Sequence, residues 1–275
     1  MQQIRPGRFE VIPLVIKNII IINVLVFIAQ QTFKNSDTIQ LDNILALHTW
    51  QSQLFRPWQF VTYLFMHGDL SHIFFNLFAL WMFGSILENL WGPKRFLTFY
   101  MICGLGAALC HMIALYIGNQ QFLNNLSELN NHFDLGHFVN FYKDNELDQL
   151  YPNSFSLLQD WQQNVNNPYY AAQAQTFCNA IVDNKMNEAT LGASGAVFGC
   201  LVAFGYLFPN SEIYLYFFIP VKVKWFVLGY IALEFFSAAQ NVAGDNVAHI
   251  AHLGGALFGF AMVYFWNKTN KTNFY

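Results

Sequence analysis

Residues 192–207 read GASGAVFGCLVAFGYL, a serine between glycines followed by an apolar run typical of a membrane span. Residues 247–260 read VAHIAHLGGALFGF and form a second apolar stretch, with His249 and His252 near its start. Reactive polar side chains are energetically costly inside a bilayer, so their presence there indicates a functional site. The two stretches predict two membrane helices that each carry a reactive side chain near one end.

The composition argues against an ordinary soluble domain. Hydrophobic residues make up 55% of the 275 residues, charged residues only 11%, and the mean hydropathy is +0.30. A net charge of -3 offers no basic surface for nucleic acid. The four cysteines form neither a C-x-x-C pair nor an evident disulfide framework. We therefore expect an all-α, multi-pass membrane protein.

Six apolar segments predict the membrane core. A span needs roughly 20 mostly apolar residues to cross about 30 Å of hydrocarbon. The candidates lie at about 14–32, 70–90, 96–117, 192–209, 223–240 and 247–266. The first segment lacks a small-residue cleavage site, so we expect it to be retained as a span. The expected fold is a bundle of six transmembrane helices.

A polar insertion, rich in Asn and Gln, separates spans three and four. Its aromatic side chains favour a small folded cap over disorder. We therefore divide the chain into an N-terminal part of the core with spans one to three, the insertion, a C-terminal part with spans four to six, and a tail. The respective ranges are 1–118, 119–189, 190–268 and 269–275.

The basic residues predict the orientation of the spans. If every span crosses, nine of thirteen fall on one side: Arg5, Arg8, Lys17, Lys94, Arg95, Lys222, Lys224, Lys268 and Lys271. The remaining four, Lys34, Arg56, Lys143 and Lys185, are spread over longer loops on the other side. This bias places both termini in the cytoplasm and the insertion outside it. The pattern suits a cell membrane and favours a bacterial inner membrane, and it leaves the membrane of an organelle open.

Ser194 and His252 then enter the membrane from the same face. Glycines spaced four apart follow both residues and allow close helix approach: Gly195 and Gly199 on span four, Gly255 and Gly259 on span six. A serine hydroxyl is a poor nucleophile without a general base, and a nearby imidazole would supply one. Each motif alone is more typical of helix packing than of catalysis, whereas the combination favours a nucleophile and its base.

His72 and Asn76 lie one turn apart on span two and share a helical face. Acyl transfer develops negative charge on a carbonyl oxygen, which N–H donors of this kind stabilise. The alternative for Asn76 is an interhelical hydrogen bond. No metal or organic cofactor is expected. A metal site at His249 and His252 is disfavoured, because the sequence between them lacks the glutamate of an H-E-x-x-H zinc motif.

These motifs resemble those of the rhomboid family of intramembrane serine proteases. Gly192 to Gly195 resembles the G-x-S-G of that family, the stretch from Ala251 resembles its A-H-x-x-G, and His72-x-x-x-Asn76 resembles its H-x-x-x-N. The resemblance implies that Ser194 is the nucleophile and His252 the general base, in a dyad without an acid. It also implies that His72 and Asn76 stabilise the oxyanion and that His249 is a neighbour of the base.

The implied activity is hydrolysis of a peptide bond in or near the transmembrane segment of a single-span protein in the lipid bilayer. The sequence departs from the family at Trp58-Gln59, where a Trp-Arg pair is frequent, and at Phe198, where tyrosine is frequent. A phenyl ring could still stack on His252. Glu88 and Glu234 are expected to be structural, with Glu88 tying its span to the following basic loop.

Two other classes of protein stay open. One is a catalytically silent rhomboid-like protein that binds membrane clients, and the presence of both Ser194 and His252 argues against it. The other is a transporter or channel, which would place charged residues on several spans. Away from the ends of the predicted spans, Glu234 alone supplies such a residue.

Overall fold

The computed structural model describes residues 9–36, 38–215, 218–240 and 249–269, and most of them are helical. The α-helices are α1 Leu14–Phe33, α2 Leu41–Leu45, α3 Gln59–Thr62, α4 Leu70–Ala79, α5 Ser85–Trp91, α6 Pro93–Asn131, α7 Leu135–Asp144, α8 Leu147–Leu150, α9 Phe155–Gln163, α10 Pro168–Met186, α11 Ser194–Leu207, α12 Val223–Gln240 and α13 His249–Thr269. Short 3-10 turns cover Tyr63–Phe65 and Pro152–Ser154, and a π-helical turn, Leu80–Gly84, joins α4 to α5. The strands are β1 Leu47–His48, β2 Ala189–Thr190, β3 Glu212–Leu215 and β4 Ile219–Lys222.

Within the described residues, four helices are long and apolar enough to cross a membrane. They are Leu14–Phe33, Leu70–Trp91, Pro93–Asn131 and His249–Lys268. The chain is therefore a membrane protein. Helices also occupy the other two predicted spans, but α11 has only 14 residues and α12 carries Lys224 and Glu234. The count of six spans stays a prediction.

The short helix α11 occupies the centre of the bundle. Nearly all of its side chains are buried, and it packs against α6 and α13. Glycines make this packing possible: a Cβ on Gly259 would lie 2.7 Å from Cα of Gly199, and one on Gly255 would overlap the backbone of Gly195. The predicted glycine pairs thus face each other, and the two backbones touch where a side chain would hold them apart.

Glu88 has a different partner from the one expected. Its carboxylate accepts hydrogen bonds from the backbone N–H groups of Val15 at 2.8 Å and Ile16 at 2.9 Å. These groups belong to the first turn of α1, where amides have no acceptor within the helix. Glu88 therefore ties the second span to the start of the first, and its negative charge also suits a helix N-terminus.

The segment predicted as an insertion begins inside a helix. Helix α6 runs without a break from Pro93 to Asn131, well past the expected end of span three at residue 117. Helices α7 to α10 follow, and apolar side chains from α6 to α10 form a separate buried cluster. Its most enclosed members are Phe138, Ala174, Cys178 and Leu147. A polar composition therefore still leaves enough well-spaced aromatic residues to build a small helical core.

Candidate active site

The chain reaches Ser194 through a tight turn that only glycine fits easily. Gly192 has a φ of +131°, which side-chain-bearing residues rarely adopt, and its N–H donates to the carbonyl of Tyr63 at 3.0 Å. Just before it, β2 pairs antiparallel with β1 from the loop after the first span. Ser194 is the first residue of α11, so its N–H has no acceptor within that helix.

Ser194 and His252 are in direct contact. Oγ of Ser194 lies 2.8 Å from Nε2 of His252, which is hydrogen-bond distance, although 58 residues separate the two along the chain. The contact rests on the glycine packing between α11 and α13. His252 is 9% exposed and Ser194 is half-buried, so the pair lies close to the surface of the bundle. This arrangement allows the imidazole to take the proton of the hydroxyl.

The structure places His72 beside this pair. A Cβ on Gly192 would lie 2.9 Å from Nε2 of His72 and 3.6 Å from Oγ of Ser194. Asp69 caps α4 by accepting from the N–H of His72 at 2.9 Å, which fixes the start of that helix. Asn76 is buried one turn further along α4. The imidazole of His72 and the N–H of Ser194 thus border the space in front of the hydroxyl.

Phe198 stacks on one face of the His252 ring. The two rings are stacked with centroids 4.4 Å apart and planes inclined by 8°. Tyr230 packs in turn on Phe198, with centroids 4.9 Å apart. The stacking expected from the sequence is confirmed, and it restricts rotation of the imidazole.

An acid lies next to the imidazoles, contrary to the expectation of a pair without one. Oε2 of Glu234 is 3.0 Å from Nδ1 of His252 and 2.6 Å from Nδ1 of His249. Sequence reasoning treated Glu234 as structural because no spacing links it to residues on another helix. One feature of the sequence does point to such a contact: an acid within a span is energetically costly, so its side chain must face the interior of the bundle or another polar group.

Glu234, His249 and His252 also satisfy the distance requirement for a metal site. Each offers one ligand atom, and these atoms lie within 4.8 Å of one another. A His-His-carboxylate set is a known zinc ligand set. The glutamate comes from α12 and not from the helix that carries the histidines, so this set of ligands cannot be recognised as an H-E-x-x-H motif in the sequence.

Gln59 and Arg56 serve the loop after the first span. Oε1 of Gln59 accepts from the N–H of Arg56 at 3.0 Å, and its Nε2 donates to the carbonyls of Asn43 at 3.2 Å and Leu54 at 3.0 Å. The guanidinium of Arg56 donates to the carbonyls of Gln53 and Phe55. Both side chains therefore organise their own loop, and in the part of the chain that the structure describes none of their hydrogen bonds involves Ser194.

Comparison with known proteins adds an independent observation. A profile of the Rhomboid domain matches residues 54–120 and 169–268, which together exceed half of the chain. The unmatched residues 121–168 lie inside the segment predicted as an insertion. Ser194, His252, His72, Asn76 and Glu234 all lie within the matched ranges.

Three relatives illustrate the similarity. RHOMBOID-like protein 12, mitochondrial, from Arabidopsis thaliana is 25% identical over 88% of this chain and 55% of its own length. Rhomboid protein 1, mitochondrial, from Saccharomyces cerevisiae is 27% identical over 74% of this chain and 39% of its own length. Rhomboid protease GluP from Bacillus subtilis is 24% identical over 74% of this chain and 25% of its own length. The two mitochondrial names do not fit the expected bacterial inner membrane.

Proposed function

This chain belongs to the rhomboid family, and from that premise we propose that it is an intramembrane serine endopeptidase. It would cleave transmembrane or juxtamembrane segments of single-span proteins. The observation that carries the proposal is the 2.8 Å contact between Oγ of Ser194 and Nε2 of His252. The name of one relative includes the word protease.

The chemistry follows from this contact. Nε2 of His252 takes the hydroxyl proton as Oγ of Ser194 attacks the scissile carbonyl carbon, and the same nitrogen then protonates the departing amine. The resulting acyl-enzyme is hydrolysed when His252 removes a proton from a water molecule. Ser194 and His252 lie near the N-terminal ends of α11 and α13, which the proposed sidedness places at the non-cytoplasmic face, so water would reach them from that face.

Negative charge on the carbonyl oxygen would be stabilised by the donors beside Ser194. We assign this role to the imidazole of His72, the N–H of Ser194 and the amide of Asn76. Fixed donors are effective here because they need little reorganisation as the charge develops. Removing one such donor reduces kcat by about 10²- to 10³-fold in other serine proteases.

The substrate must unwind locally before it reacts. Carbonyls in a membrane helix are held in hydrogen bonds to the N–H four residues later, and an attacking oxygen cannot approach them. We therefore propose a preference for segments with helix-weakening residues and, by family resemblance, a small side chain before the scissile bond. The proposal includes no metal or organic cofactor.

Cleavage of a single-span test substrate in liposomes tests this function. Ser194→Ala and His252→Ala are expected to abolish cleavage, because each removes one partner of the proton transfer. Ser85→Ala and His137→Ala are matched controls: Ser85 is buried in α5, His137 is exposed on α7, and neither contacts the pair. Cleavage that survives loss of either partner contradicts the mechanism. A wild type that binds several substrates without cleaving them supports the silent, client-binding alternative.

We also propose the sidedness of the membrane core, with both termini on the cytoplasmic side and the segment 119–189 on the opposite side. The basic residues support this arrangement. In intact cells, a Ser156→Cys variant should react with a membrane-impermeant maleimide, because Ser156 lies at an exposed position in α9. A Lys94→Cys variant, exposed at the start of α6, should react only after permeabilisation. The reverse pattern refutes the proposed orientation.

A further inference from the structure

One carboxylate oxygen sits between two imidazoles beside the proposed nucleophile. Oε2 of Glu234 is 2.6 Å from Nδ1 of His249 and 3.0 Å from Nδ1 of His252, while Nε2 of His252 faces Oγ of Ser194 at 2.8 Å. Glu234 itself is only 6% exposed. The contacts therefore run from the serine through one imidazole to a buried acid and on to a second imidazole.

The two histidines differ in how they meet the acid. Nδ1 of His249 makes a hydrogen bond to Oε2. Nδ1 of His252 is buried and makes no well-aligned hydrogen bond, although Oε2 is at ion-pair distance from it. His249 therefore holds the carboxylate in place, and the charge of that carboxylate acts on His252 chiefly through proximity.

This geometry favours one tautomer of His252. A buried carboxylate needs N–H groups around it, since an unsatisfied charge there is costly. The proton of neutral His252 is then favoured on Nδ1, toward Glu234, which leaves the lone pair of Nε2 toward Ser194. A general base requires this tautomer, and the negative charge also stabilises the imidazolium that forms during attack.

We propose that Glu234 is a positioning residue that orients and electrostatically supports His252, with His249 anchoring its carboxylate. This inference rests on the proposed function, since it assigns a partner to the same general base. It replaces a pair by a Ser194–His252–Glu234 triad in which the acid stays ionised. Glu234 lies on α12, so the position of this helix becomes a condition for activity.

The test compares Glu234→Gln and His249→Gln with Glu88→Gln in liposomes. Gln keeps the shape of Glu234 but removes its charge. Glu88 is the matched control, because it is another acid buried in a membrane helix but its partners are the amides of α1. We expect Glu234→Gln to lower kcat by about 10²-fold or more with little change in KM. His249→Gln should have a smaller effect in the same direction, and Glu88→Gln should keep kcat per folded molecule.

The separate effects on kcat and KM distinguish positioning from a structural role. Loss of the carboxylate should lower kcat of the folded protein, because His252 loses its orienting partner, whereas a merely structural role would lower the amount of folded protein. Among the described residues, the other titratable groups near His252 and Glu234 are His72 on α4, His111 on α6, Tyr230 on α12 and His249. These groups are unchanged in Glu234→Gln. A folded Glu234→Gln protein with kcat within twofold of wild type overturns the inference and leaves the proposed function intact.

Two further measurements decide the remaining cases. Nitrogen-15 NMR of histidine-labelled protein reports the tautomer whether or not the protein cleaves anything. If the wild-type protein is inactive, the proposed function is contradicted, but the tautomer can still be measured. An Nδ1–H tautomer of His252 that is lost in Glu234→Gln supports the inference. A tautomer that is the same in wild type and Glu234→Gln overturns it. Activity that is lost with a chelator and restored by Zn²⁺ also overturns it, because the three residues then act as metal ligands.

Discussion

Replacing Gly259 by alanine tests whether α11 and α13 must touch for Ser194 to meet His252. A Cβ at position 259 would lie 2.7 Å from Cα of Gly199 and 2.8 Å from its carbonyl oxygen, whereas ordinary contact begins near 3.4 Å. The facing atoms are backbone, so no side chain can rotate away. The helices must therefore separate locally by about 0.7 Å, because the packed interior offers little free space.

The expected cost has two parts. Overpacking of this kind destabilises by about 1 to 3 kcal/mol, which lowers Tm by about 2 to 10 °C for a protein of this size. His252 lies on the same helix, two turns before Gly259, so the separation also lengthens its contact with Ser194. Misplacement of a catalytic group by about 1 Å can cost about 10²-fold in rate. We therefore expect a loss of about 10-fold or more in kcat.

Gly118→Ala is the matched control. Gly118 also lies within a long helix, α6, but an added Cβ there meets no atom within 4 Å. Alanine at this position should leave activity unchanged and raise stability by about 0.5 to 1 kcal/mol. Thermal melting and substrate cleavage, measured on both variants in the same detergent, provide the comparison. A Gly259→Ala protein with wild-type Tm and wild-type kcat refutes the role assigned to this contact.

Two further predictions concern the turn before the serine and the segment beyond the core. Gly192→Ala should reduce labelling of Ser194 by a fluorophosphonate at least about tenfold, since the new Cβ meets the His72 ring at a φ of +131°. Gly68→Ala, whose Cβ only makes ordinary contact with the same ring, should label normally. Burial raises the pKa of Cys178 to about 12, so at about pH 8 only ~10⁻⁴ of the thiol is ionised and alkylation should be slow. Peptide-resolved mass spectrometry should show Ser156→Cys reacting first; equally fast modification of Cys178 contradicts the helical core assigned to this segment.

The sequence predicts the helical membrane core well, because the signal is local. Apolar runs of sufficient length require helices in a bilayer, where every backbone group must be paired within the chain. Helices are present at all six expected places, although within the described ranges only four are both long and apolar enough to cross a membrane by themselves. Helices α11 and α12 are the two exceptions, and α11 is enclosed by other helices, so its length is not set by the thickness of the hydrocarbon.

Some features depend on contacts between distant parts of the chain. The aromatic side chains of 119–189 indicate a folded cap, but the sequence does not show which residues form its apolar cluster, because the members come from several short helices and from the extension of α6. The partner of Glu88 was missed for the same reason: the amides of Val15 and Ile16 lie more than 70 residues away in sequence.

The sequence by itself determined that this is a helical membrane protein of the rhomboid family, and its motifs singled out Ser194, His252, His72 and Asn76. Those motifs are short and local, so they can be recognised without coordinates. Only the tertiary structure decided that Glu234 meets His252, because α12 and α13 pack side by side and no spacing along one helix encodes that contact. The physical reason is that helix periodicity relates residues three or four apart, whereas an acid on another helix is brought near only by packing.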